Sequence, residues 1–177
     1  MTRILGIDPG SLLTGWAVIV QEGSRLQHVA SGVIRTGGQE FTQRLRIIAR
    51  DVAVIVAEHV PDEVVVERAF VNKNADSALK LGHARAAAIC GTFAVDLPVF
   101  EYAPRDVKQA VVGTGAASKE QVQQMVGLLL KLKDTLQSDE ADALAVALTH
   151  ALRRSVNTQL AAVAGSTRTS RTGRRRR

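Results

Sequence analysis

Cysteine occurs once in the 177 residues, at Cys90, which excludes an internal disulfide and a thiolate metal cage and suits a reducing compartment. Aromatic side chains make up only 3%, so the core has to be assembled from Val, Leu, Ile and Ala. No apolar stretch approaches the roughly 20 residues that a membrane helix needs. The opening MTRILGIDPG has no basic segment followed by an apolar run, so no signal peptide is expected. Acidic residues are missing from the last stretch: residues 151–177 hold 8 Arg and no acid, against 15 Lys+Arg and 17 Asp+Glu in residues 1–150. The net charge of +6 therefore belongs to the tail, and any nucleic-acid surface on the remainder must be a local patch. With 46% hydrophobic and 23% charged residues, the rest has the balance of one globular domain.

Patterning predicts strands over residues 3–8, 14–21 and 25–36, joined by tight Gly-containing links that favour an antiparallel meander. Residues 41–59 follow helical spacing, with Leu45, Ile48, Val52, Ile55 and Val56 on one face. A short buried strand, 63–67, comes next. A helix capped by Asp76 or Ser77 is expected to run to about Val95, and a further strand covers 98–102. Pro104 suits the first turn of a helix through Val112. Ser118 with Gln121 forms a capping box opening a helix to about Leu132, and a last helix runs from Ser138 or Asp139 to about Arg154. The order is βββαβαβααα, an α/β chain. Beyond Arg154 the periodicity fades, and GSTRTSRTGRRRR reads as a basic, disordered tail.

Four acids draw attention. Asp8 ends the first strand before Pro9-Gly10, where an Asx-turn is the ordinary role. Glu67 closes an otherwise apolar strand, where a carboxylate is costly without a partner or water. The helical crossover from the third strand makes strands three and four parallel. If strand four lies beside strand one, Asp8 and Glu67 stand about 5 Å apart on one sheet edge. Asp139 and Asp142 share a face at a helix start, where acids favour the positive helix end, but the ALAVAL that follows must be buried, so this turn faces a cleft. Singly, each acid favours its local role. Together they would repel one another unless cations neutralise them, and hard oxygen ligands suit Mg²⁺ or Mn²⁺.

The segments GIDPGSLLTGWAV, VVVERAFVNKNADSALKLGHARAAAI, PVFEYAPRDVKQAVVGTGAASKEQVQQMV and SDEADALAVALTH resemble the RuvC family of crossover junction endodeoxyribonucleases, in order and with family-like spacing over about residues 3–150. NADSALKLG is the most specific of these. The resemblance implies a ribonuclease H-like fold with a mixed five-stranded sheet flanked by helices. The fading periodicity beyond Arg154 bounds that nuclease domain at 1–154 and leaves a basic tail over 155–177, which the resemblance does not cover. The resemblance also implies a cytoplasmic homodimer that nicks opposing strands of a four-way DNA junction in recombination and repair. Two Mg²⁺ per site, replaceable by Mn²⁺, and a RuvA–RuvB branch-migration partner belong to the same expectation, and no membrane is involved. By motif position Asp8, Glu67, Asp139 and Asp142 match the family's metal-binding, catalytic carboxylates. Some members carry His where this chain has Asp139. Phe70 matches an aromatic that stacks on junction bases, with a loop anchor in the core as its alternative. Lys108 and Lys119 match basic residues near the DNA backbone, and Lys73 and Arg85 are further candidates for phosphate.

GTGAASK lacks the spacing of a nucleotide loop, and His28, His59, His83 and His150 have no mutual metal spacing. Cys90 reads as a small buried packer, and the Ala-rich helix around it as a core element with dimer contact as a second role. Other functions compatible with the pattern are an ATP-binding protein of the actin and sugar-kinase class, which needs two such domains, a junction-binding module without catalysis, and a nuclease for RNA–DNA hybrids.

Overall fold

The structure, a computed structural model, describes residues 1–68, 74–132 and 136–169. Ten elements follow the predicted order: β1 (Thr2–Asp8), β2 (Leu13–Glu22), β3 (Arg25–Arg35), α1 (Phe41–His59), β4 (Glu63–Glu67), α2 (Ala75–Cys90), β5 (Val99–Tyr102), α3 (Pro104–Val112), α4 (Lys119–Leu130) and α5 (Ser138–Thr169). The sheet order is β3-β2-β1-β4-β5. The first three strands form the antiparallel meander, and β4 then lies parallel to β1 and β5 parallel to β4. The sheet is therefore mixed, as expected, with β1 and β4 at its centre.

Both faces of the sheet are covered, which is why β1 and β4 are nearly continuous apolar runs. Strand alternation sends Ile4, Ala17, Ile19 and Val65 into one layer with the apolar sides of α3, α4 and α5. Leu5, Ile7, Val18, Val64 and Val66 enter the opposite layer with Ile48, Val52 and Val56 of α1 and Ala84 and Ala88 of α2. The ALAVAL stretch is fully buried from Ala143 to Leu148, as its composition required. No described helix is long and apolar enough to cross a membrane.

Four local expectations change. Asn74, two to three residues earlier than expected, caps α2: its side chain accepts from the backbone N–H groups of Asp76 and Ser77 at 3.0 and 3.2 Å. The helix stops at Cys90 because Gly91 sits tight against α1, where an added Cβ would lie 2.6 Å from the Ala49 carbonyl oxygen. Cys90 is exposed rather than buried, since it follows Ala88 by about 200° around a helix whose inward face is Ala84 and Ala88. At the other end of the chain, α5 continues past Arg154 to Thr169.

Candidate active site

Asp8 is the last residue of β1 and Glu67 the last of β4, and the parallel register pairs the residues just before them, Ile7 with Val66. Both acids therefore emerge at the C-terminal ends of neighbouring central strands. The two carboxyl groups are near enough that a protonated Asp8 would donate to Glu67. The turn beyond Asp8 is locked by the buried Thr14, whose hydroxyl donates to the Gly10 carbonyl at 2.8 Å and accepts from the Gly10 N–H at 3.3 Å.

α5 delivers Asp139 and Asp142 to the same edge because the sheet beneath it has no side chains in its path. A Cβ at Gly6 would lie 2.4 Å from the Ala143 carbonyl oxygen, and one at Gly15 would lie 1.9 Å from that of Asp139. These glycines admit the helix to backbone contact with β1 and β2. The opening turn is also tied to β3. Ser31 donates to Glu140 at 2.6 Å, His28 shares a 2.6 Å hydrogen bond with Ser31, and the second Glu140 oxygen accepts from the Gln137 N–H at 3.2 Å.

Electrostatics couple the group. Burial, followed by the charges of Glu67 and Asp142, pushes the Asp8 carboxyl up to about 8, and Asp139 adds to the effect. Burial raises Glu67 as well, opposed by its hydrogen bond with Asp8 and by the positive charges of Lys119 and Lys108. Lys119, the first residue of α4 behind the predicted Ser118–Gln121 capping box, donates to Asp142 at 2.6 Å. Partial burial disfavours its charge, but the Asp142, Asp139 and Asp8 carboxylates outweigh burial and hold its ammonium above the ordinary range. A cleft of about 200 Å³ is lined by Glu67, Pro104, Val107, Lys108, Lys119, Val122, Asp142 and Ala145. A larger depression of about 440 Å³ lies at the other end of the sheet, around Thr2, Gln21 and Arg154, and gathers no paired acids.

The edge thus brings together Asp8, Glu67, Asp139, Asp142, Lys108 and Lys119. Phe70 and Lys73 lie outside the described residues. Arg85, a further candidate, is committed to Glu101 of β5. Among the described residues no three His, Cys, Asp or Glu side chains already close into a cation cage, since Asp142 faces Lys119 and Asp8 faces Glu67. The donor chemistry nevertheless fits a hard divalent ion: oxygen ligands only, mutually repelling, on rigid strand and helix ends. Sequence reasoning did not single out Gly6, Gly15, Thr14 or Ser31. Glycine inside otherwise apolar strands is the one signal that pointed to a close backbone approach.

The chain is similar over most of its length to known proteins that share one name. The family model described as "Crossover junction endodeoxyribonuclease RuvC" matches residues 4–150. A protein of that name from Vibrio parahaemolyticus is 52% identical over 176 residues, covering 99% of this chain and 100% of the relative. One from Sodalis glossinidius is 55% identical over 150 residues, covering 85% of this chain and 87% of the relative. The solved structure of T. thermophilus RuvC in complex with Holliday junction substrate superposes with a TM-score of 0.83 at 34% identity, over 89% of this chain and 98% of that one.

Proposed function

This chain belongs to the RuvC family of crossover junction endodeoxyribonucleases, and from that premise we propose how its residues cut DNA. It is a structure-selective endonuclease that resolves four-way Holliday junctions in recombination and repair. Family members depend on divalent metal. For this chain the reading is two Mg²⁺ per site, replaceable by Mn²⁺, held by Asp8, Glu67, Asp139 and Asp142. The observation that carries it is the convergence of Asp8 and Glu67, on adjacent parallel strand ends, with the first turn of α5. Bound there, such ions would acidify the attacking water and neutralise charge on the scissile phosphate and its leaving oxygen.

The chain's own residues supply the rest. Without a cation Asp8 and Glu67 hold a proton between them, and a divalent ion bound there would displace it. Lys119 stands half-exposed at the mouth of the cleft, at a helix N-terminus, where its charge and the backbone N–H groups meet an incoming phosphate. Lys108 lines the same cleft from α3 and serves the backbone of the same strand. Phe70 stacks on junction bases and Lys73 adds a phosphate contact in this reading, both following from motif position. Two copies related by a two-fold axis match the near-two-fold symmetry of a junction and supply two nicks. The arginines beyond residue 155 add non-specific affinity through counterion release. The remaining proposals are a cytoplasmic setting and a RuvA–RuvB branch-migration partner.

The test is incubation of the protein and its Asp8→Asn variant with a mobile four-way junction, a matched linear duplex and an RNA–DNA hybrid, with and without Mg²⁺. Paired nicks in the junction alone, lost in the variant and without metal, are expected. Binding without cutting under any metal would make the chain a binding module, and hybrid cutting would move it to another nuclease class.

A further inference from the structure

His150 is the one histidine sealed in the core, 3% exposed, and both of its ring nitrogens are used. Nε2 lies 2.7 Å from Glu63, and Nδ1 lies 2.9 Å from the Tyr102 hydroxyl. A carboxylate only accepts, so Nε2 carries the hydrogen and donates to Glu63, while Tyr102 donates to Nδ1. The Phe100 ring stacks on the imidazole at a centroid distance of 4.3 Å. Glu63 is held as well by Arg154, which also donates to Thr2 at 3.1 Å. Tyr102 is gripped from its other side by Arg153, 4.8 Å above the ring, which pairs with Asp106 of α3 at 3.0 Å.

This cluster joins the elements that carry the nuclease site. Glu63 and Glu67 lie at opposite ends of β4 on the same face, about 13 Å apart along the strand. His150 and Asp139 lie on the same line of α5, about three turns or 16 Å apart. Tyr102 pairs with Glu67 in the parallel register, and β5 leads directly into α3, which carries Lys108. At the acidic end α5 meets β1 and β2 by backbone contact over Gly6 and Gly15 and is tied to β3 by the Ser31–Glu140 hydrogen bond, and among the described residues no such bond ties it there to β4 or β5. At the other end His150 supplies directional bonds that a slide of about an ångström would break.

We propose that His150 is a positioning residue for the nuclease site: by bonding Glu63 and Tyr102 at once it fixes the register of α5 against β4 and β5. That register sets where Asp139 and Asp142 stand relative to Glu67 and Asp8. The inference rests on the four-carboxylate reading given above.

The experiment compares His150→Phe, His150→Gln, Tyr102→Phe and, as a control on the site itself, Asp142→Asn in the full chain. Phe keeps the stacking on Phe100 and removes both hydrogen bonds, whereas Gln retains an N–H that reaches Glu63. Mn²⁺ affinity by calorimetry and single-turnover junction cleavage are each expected to fall about tenfold in His150→Phe, the range for groups that hold a ligand rather than bind metal. His150→Gln recovers most of that loss. Junction affinity in Ca²⁺ stays within about twofold of the parent, because the bonds removed lie away from the DNA-facing edge. Amide exchange accelerates in Ala141–Ala147 and not in α1. Should His150→Phe fail to fold, Tyr102→Phe, which removes one hydroxyl, carries the test with a smaller loss in the same two quantities. Parent-like Mn²⁺ affinity and cleavage in the folded His150 and Tyr102 variants, while Asp142→Asn loses metal, would overturn the inference. So would exchange that rises equally throughout the fold. Parent-like metal affinity in Asp142→Asn would instead overturn the site reading beneath it.

Discussion

The Lys119 ammonium lies 2.6 Å from an Asp142 carboxylate oxygen, so the first residue of α4 and the first turn of α5 meet across the mouth of the acidic cleft. The same lysine offsets charge at Glu67. A cation bound among the acids would therefore compete with Lys119 for Asp142, and the released ammonium would be free to meet a phosphate.

Lys119→Met tests that exchange. Cleavage of a four-way junction is expected to fall by about 10²-fold, the cost of removing one electrostatic contact at a reacting phosphate. Mn²⁺ affinity is expected to stay equal or tighten, because Asp142 loses its competing partner. Calorimetry beside single-turnover cleavage separates the two. A parallel loss of metal affinity would mean that Lys119 orders the site rather than acting on the phosphate.

Asp8→Asn has opposite effects on chemistry and stability. The Asp8 carboxyl moves from an ordinary 3.8 to about 8 on folding, so between those values the folded protein holds more protons than the unfolded chain. Stability in EDTA must then fall as pH rises through that window, and the contribution is fully present only below 3.8. The variant is expected to be more stable than the parent by about 1–3 kcal/mol at pH 8, since Glu67 takes up part of the charge, and to show no gain at pH 3. Denaturation by urea at several pH values reads this directly, while cleavage is abolished. A variant less stable than the parent at pH 8 would rule the repulsion out.

Gly15→Ala asks how close α5 must come. The new Cβ would meet backbone, the Asp139 carbonyl oxygen at 1.9 Å, so the helix has to lift. About 1–3 kcal/mol of stability is expected to go, with a loss of cleavage larger than that figure explains at a temperature where the variant is still folded. Melting curves and single-turnover rates on the same preparation measure both. Parent-like cleavage would show that the position of Asp139 tolerates displacement.

Removing residues 156–177 deletes arginines and no acid. The slope of log affinity against log salt for linear duplex is expected to flatten, because fewer phosphates are neutralised. An unchanged slope would assign the tail no part in DNA binding.

The sequence alone made the element order legible, because alternation, helical spacing and boundary residues such as Pro104 and Ser118 are local properties. It also put Asp8 and Glu67 at the ends of strands one and four, sharing an edge on condition that those strands are neighbours, which the sheet order meets. The cap of α2 went to Asn74 although Asp76 and Ser77 are equally suited by residue type, because three neighbouring polar residues compete for that role and local pattern does not rank them. Cys90 was misplaced for a similar reason: apolar neighbours do not reveal which side of a short helix turns inward.

What the tertiary structure alone decided is register and approach. The hydrogen bonds of His150 to Glu63 and Tyr102 span 87 and 48 residues, and no local pattern distinguishes such a histidine from one facing solvent. Gly6 and Gly15 are permissive residues in the sequence and become necessary only when the α5 backbone lies against them. The acids themselves are local chemistry, written in residue type and position. Their mutual distances depend on how a helix slides over a sheet, which is settled by contacts between segments far apart in the chain.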